Sequence, residues 1–133
     1  RWARGHNVIG RIMSSQSGVV LVVEDESLIR IGIAGELEAE GFTVFEAANA
    51  DEAIALLEAE PSINLLLTDI DMPGSMDGLK LASAVRKRWP PVKIIVTSGQ
   101  FKLSQASLPD GGRFFTKPYL GSTIAAAFRE MSA

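Results

Sequence analysis

The chain has 133 residues, 47% hydrophobic and 22% charged, which allows one buried core and excludes a disordered chain. Its net charge of -3 argues against a general nucleic-acid surface. The absence of cysteine excludes disulfides, zinc–thiolate centres and thiol catalysis, and no apolar stretch approaches the roughly 20 residues of a membrane span.

Residues 1–17 read as a flexible N-terminal extension or expression remnant, basic at first and without the apolar core of a secretory signal. The domain proper is expected over residues 18–133. Strand one covers residues 19–24. A helix over residues 27–40 follows, with Ile29, Ile33 and Leu37 four apart and Gly41 as its stop. Residues 42–46 form a short second strand. Asn49 caps the next helix, with Glu52 three residues on, and Pro61 ends it. Residues 64–69 are almost all apolar and read as a central strand. Met72-Pro73-Gly74 marks a turn before a third helix that buries Leu79, Ala82 and Val85 and closes at Pro90-Pro91. Strand four covers residues 92–97. Residues 100–108 are Ser-rich and run straight into Pro109-Asp110-Gly111-Gly112, so the fourth helix is expected to be short or irregular. Strand five covers residues 113–116. A last helix over 121–131 puts Ile124, Phe128 and Met131 on one stripe. Five strands alternating with helices and joined by right-handed crossovers give a doubly wound α/β sandwich with a parallel sheet.

In such a sheet ligands bind beyond the carboxyl ends of the strands. Those ends carry Glu24-Asp25, Asp69, Thr97-Ser98 and Lys117-Pro118. Taken singly, each has a plain explanation: acids favour a helix N-terminus, threonine favours strands, and lysines are usually solvated. Taken together, carboxylates, a hydroxyl and an amine at one edge suit a hard divalent cation, Mg²⁺ above all, and a phosphoryl group. Asp69, with Asp71 two residues later, is a candidate metal ligand, a nucleophile that forms an acyl phosphate, or both. Lys117 would supply positive charge and Thr97 a hydrogen bond.

The strings Val22-Val23-Glu24-Asp25-Glu26, Leu66-Leu67-Thr68-Asp69-Ile70-Asp71-Met72-Pro73, Met76-Asp77-Gly78, Val96-Thr97-Ser98-Gly99 and Phe115-Thr116-Lys117-Pro118 stand in a telling order. From residue 18 to the end the chain resembles the receiver (response-regulator) domain of two-component signalling, of the chemotaxis-regulator type. The resemblance implies a flavodoxin-like strand order 2-1-3-4-5. It implies a cytoplasmic, Mg²⁺-dependent switch, not an enzyme beyond its own phosphorylation and dephosphorylation. Asp69 would accept the phosphoryl group from a histidine kinase or histidine phosphotransfer protein. Asp25 and Asp69 would bind Mg²⁺ through side chains, Asp71 through its backbone carbonyl and Glu24 through water. Thr97 would be the switch hydroxyl, Phe114 the switch aromatic, and Lys117-Pro118 a cis peptide. A downstream protein or a homodimer would use the 4-5-5 face, made of the fourth helix, fifth strand and fifth helix; direct contact with nucleic acid or membrane is not expected. Glu24 stands where aspartate is commoner, the loop after Pro73 is one residue longer than the most familiar pattern, and Phe114 lacks the hydroxyl of a tyrosine.

The competing reading is a Mg²⁺-dependent phosphohydrolase with Asp69 as nucleophile and Asp71 as general acid. Such enzymes usually need a cap or a longer chain and place their acidic motif after the first strand. A dinucleotide or flavin binder is disfavoured, because Glu24-Asp25-Glu26 would repel a pyrophosphate where a Gly-rich loop is needed.

Overall fold

The computed structural model describes residues 18–72, 76–99 and 108–132. The N-terminal extension, the tip of the loop at 73–75 and nearly all of the expected fourth helix lie outside the described residues. The elements are β1 (Val19–Val23), α1 (Ser27–Ala39), β2 (Thr43–Ala47), α2 (Ala50–Ala59), β3 (Leu65–Asp69), α3 (Gly78–Arg88), β4 (Lys93–Ser98), β5 (Arg113–Thr116) and α4 (Gly121–Ser132). The strands form one parallel sheet in the order β2-β1-β3-β4-β5.

Strand periodicity divides the core in two. Leu21, Val23, Leu66, Ile94 and Val96 point to the face covered by α2 and α3, where they meet Ala53, Leu57, Leu81 and Val85. Val20, Val22, Leu65, Leu67 and Ile95 point to the other face, against Ile33 and Leu37 of α1 and Ile124 and Phe128 of α4. Each fully buried leucine here contributes about 1.5–3 kcal/mol. β3 is buried along its whole length, whereas the edge strand β5 is only half-buried.

Two helix faces differ from the sequence pattern. In α1 the buried residues are Ile33, Ala34 and Leu37, while Ile29 is 39% exposed. Ile29 stands in the first turn of α1, ahead of the buried stretch, where it borders a surface groove with Pro118 and Tyr119. In α3 Leu81, Ala82 and Val85 are buried and Leu79 is only partly so, since the helix turns Leu81 rather than Leu79 toward the sheet.

The caps follow from side-chain chemistry. Asn49 accepts from the Glu52 backbone N–H at 2.9 Å, and Glu52 in return accepts from the Ala48 N–H at 2.8 Å. Asp77 caps α3 by accepting from the Lys80 N–H at 2.9 Å. The next residue, Gly78, packs against the chain that leaves β3: a Cβ there would lie 1.9 Å from the Asp69 carbonyl oxygen. Only glycine lets α3 start this close to the strand end.

Candidate functional site

β1 and β3 are neighbours, and β3 is hydrogen-bonded to β4 with Asp69 directly opposite Thr97. The topology therefore brings the ends of three central strands together, and the turn after β5 adds Lys117. The Lys117 backbone N–H donates to the Ser98 carbonyl at 2.8 Å, and the Lys117–Pro118 peptide is cis.

Glu24 and Asp69 are both buried, and Lys117 bridges them. Its Nζ lies 3.0 Å from Glu24 Oε1 and 3.0 Å from Asp69 Oδ2. The remaining oxygens are also used. Glu24 Oε2 accepts from the Glu26 N–H at 3.0 Å, and Asp69 Oδ1 accepts from the Asp71 N–H at 3.3 Å. Arg30 donates to the Glu24 carbonyl at 2.8 Å and to Glu46 Oε1 at 3.3 Å, fixing the turn that carries Glu24.

Burial raises the pKa of Glu24 above the ordinary carboxylate range, against the opposing pull of the Glu26 amide and Lys117. Burial raises Asp69 likewise, with Lys117 again opposing. For Lys117 burial alone would favour the neutral amine. The hydrogen bonds to Glu24 and Asp69 outweigh it and hold the ammonium above the usual lysine range. The site is thus a carboxylate cluster strained by burial and held by one amine.

Asp25 is exposed at the mouth. One carboxylate oxygen from each of Glu24, Asp25 and Asp69 lies within 4.8 Å of the others. An all-oxygen, anionic donor set of this spacing fits a hard divalent cation. The Asp71 carboxylate is turned away onto Ser98, whose Oγ donates to it at 3.0 Å.

Thr97 is fully buried, and burial raises the pKa of the nearby Tyr119 phenol, with the Lys117 charge opposing. Phe114 stands opposite Val96 in the sheet and is partly exposed. Sequence reasoning did not single out Tyr119 or Arg30, and it placed Ser98 at a strand end without giving it a role. Ser98 sits beside Thr97 and reads as one more strand residue, and Arg30 is a polar position on an amphipathic helix. Tyr119 offered one faint signal, being the sole tyrosine of the chain and two residues past the lysine.

Comparison with known proteins gives a consistent answer. Residues 20–128 match the family model described as response regulator receiver domain. The sensor kinase CckA of Brucella abortus is 36% identical over 121 residues, which is 88% of this chain and 13% of that kinase. Among solved structures, the receiver domain of the hybrid histidine kinase CckA superimposes with a TM-score of 0.73 at 32% identity, covering 87% of this chain and all of that one. The response regulator TrrA of Thermotoga maritima, solved in complex with Mg(2+)-BeF, gives a TM-score of 0.73 at 27% identity, covering 86% of this chain and 98% of that one. The chain thus spans only a small part of the kinase it matches and nearly the whole of the isolated receiver domains. Among the described residues no helix is long and apolar enough to cross a membrane.

Proposed function

This chain belongs to the response regulator receiver family, and we propose that residues 18–133 form a cytoplasmic signalling switch phosphorylated on Asp69. The observation that carries this reading is the buried Asp69 carboxylate, with Lys117 Nζ at 3.0 Å and carboxylate oxygens of Glu24 and Asp25 within 4.8 Å. An Asp69 oxygen attacks the phosphorus of a phosphohistidine. The P–N bond breaks, its electron pair returns to the imidazole, and an acyl phosphate forms on Asp69. Lys117 keeps a fixed positive charge beside the oxygens that gain negative charge. The proposed ligands for Mg²⁺ are the side chains of Asp25 and Asp69, the backbone carbonyl of Asp71 and, through water, Glu24. Bound there, the cation would neutralise charge on the phosphoryl group. Thr97 supplies the hydroxyl that responds to the phosphoryl group, and Phe114 is the aromatic that follows it. Hydrolysis of the acyl phosphate resets the switch, so the domain regulates and turns over no substrate other than its own phosphoryl group.

The proposed donor is a histidine kinase or histidine phosphotransfer protein. Leu28 (85% exposed) and Ile31 (57%) on α1 and Leu120 (68%) just before α4 are exposed apolar side chains, proposed here as contacts for that donor. The described part of the 4-5-5 face, β5 and α4, is left for a downstream protein or a second copy.

The test is labelling by acetyl phosphate with Mg²⁺. The wild-type chain is expected to label at Asp69 and Asp69→Ala not at all. Asp25→Asn is expected to weaken Mg²⁺ binding, read by calorimetry, by about tenfold. Full labelling of Asp69→Ala would overturn the assignment, and unchanged Mg²⁺ affinity would remove Asp25 from the ligand set.

A further inference from the structure

Charge is laid unevenly along this chain. Residues 31–79 hold eleven carboxylates and no lysine or arginine, and residues 80–109 hold six lysines and arginines and no carboxylate. The fold sets parts of the two blocks side by side. α2 lies over β1 and β2, α3 lies over β3 and β4, and both cover the same face of the sheet. That face is the one opposite α1 and α4.

The outer side of each helix repeats one pattern with the sign reversed. On α3 the stripe is Lys80, Ser83, Ala84, Lys87 and Arg88, spaced for one helix face. With Leu79 these residues line an open hollow of about 460 Å³. On α2 the exposed stripe is Asp51, Ala55 and Glu58. Lys80 and Lys87 are seven residues apart, as are Asp51 and Glu58. Each stripe therefore holds its charges about 10 Å apart along the helix, with small side chains between them. Small residues in the middle let a second helix approach closely enough for the charged ends to meet. Arg88 is already ordered, 2.7 Å from Glu58 and 4.3 Å over the Trp89 ring. Among the described residues neither Lys80 nor Lys87 is in an ion pair.

The acidic stripe beside the basic one decides the occupant. A nucleic acid or an anionic membrane would meet α3 favourably and be repelled by α2. A second copy of this chain satisfies both. α2 and α3 follow parallel strands on one face and so run in the same direction. A two-fold axis along that direction lays the α2 of each copy on the α3 of the other, and every contact occurs twice.

We propose that the outer faces of α2 and α3 form a self-complementary surface on which a second copy of this chain docks, with Asp51 and Glu58 of each copy facing Lys80 and Lys87 of the other. This surface is separate from the 4-5-5 face and does not depend on the assignment of Asp69.

The test is sedimentation velocity of the full chain. In about 50 mM salt it is expected to dimerise with a Kd on the order of 100 µM, and in about 0.5 M salt to do so about tenfold more weakly, because screening acts on an exposed charged interface. Lys80→Glu with Lys87→Glu is expected to be monomeric, since acid then faces acid, and so is Asp51→Lys with Glu58→Lys. Mixed in equal amounts, these two variants are expected to pair, since each α2 again meets an α3 of opposite sign. Lys80→Gln with Lys87→Gln keeps helix propensity and is expected to weaken the dimer about three- to tenfold, which decides the matter should a reversed variant fail to fold. A wild-type chain that stays monomeric, a dimer that survives either reversal, a folded mixture that does not pair or a Gln pair with unchanged Kd would each overturn the proposal. Binding of polyglutamate or a polynucleotide by a monomeric chain, lost on changing Lys80 and Lys87, would overturn it in favour of a foreign polyanion.

Discussion

Lys117 and the arginines of the surface make the same kind of ion pair in opposite surroundings. Arg113–Glu130 and Arg88–Glu58 are the shorter pairs, at 2.6 and 2.7 Å, yet every one of those four side chains is at least 42% exposed. Lys117 lies 3.0 Å from each of two carboxylates whose side chains are only 4% exposed. Distance ranks the surface pairs first, and burial reverses the ranking. Water screens the arginine pairs and side-chain ordering uses up most of what they gain. At the strand ends there is little water to share the charge, so removing the ammonium leaves both carboxylates stranded. The interior trio thus holds an electrostatic imbalance ready for a ligand, whereas the surface pairs are balanced and screened by water.

The largest expected effect comes from Lys117→Met. It leaves Glu24 and Asp69 facing each other without the ammonium and is expected to cost about 3 kcal/mol in denaturant unfolding at neutral pH without Mg²⁺. The loss should shrink as Mg²⁺ is added. A variant as stable as the parent would show that the bridge offsets nothing.

Asp69→Asn is expected to act in the opposite direction. Burial raises the folded-state pKa values of Glu24 and Asp69 above their unfolded values. Between the two values the folded chain binds more protons than the unfolded one, so stability falls as pH rises through the folded pKa. Replacing one carboxylate by an amide removes part of that penalty. The variant should gain about 1 kcal/mol at neutral pH without Mg²⁺ and depend less on pH between the carboxylate range and neutrality. Equal slopes of stability against pH in the two proteins would contradict the account. The smallest effect belongs to Arg113→Ala, expected to change stability by less than about 1 kcal/mol and to respond to salt rather than to Mg²⁺. A larger loss, measured in the same unfolding assay, would break the contrast from the surface side.

Much of this architecture was legible in the residues. Strands buried on both faces are apolar throughout, so their charged ends stand out, and Glu24, Asp69 and Lys117 meet as their positions imply. What was not legible depends on three-dimensional phase. Ile29 continues the apolar spacing of α1 yet is 39% exposed, which no helical pattern foretells. Tyr119 follows a proline in a turn, where neither the period of a strand nor that of a helix says which way a side chain points. The Ser98 bond to Asp71 joins residues 27 apart and needs the sheet register to bring them together.

The glycine that opens α3 sets a boundary on how this sequence can drift. Gly32 and Gly35 of α1 have nothing within 4 Å of where a Cβ would stand, so those positions are free to exchange for better helix formers. Gly78 has the Asp69 carbonyl oxygen at 1.9 Å from that point. Helix propensity argues for replacing all three, and contact with the backbone of Asp69 forbids it at one. The atoms a Cβ there would meet are all backbone, so Gly78 is held by the path of the chain leaving β3, whatever side chains stand there.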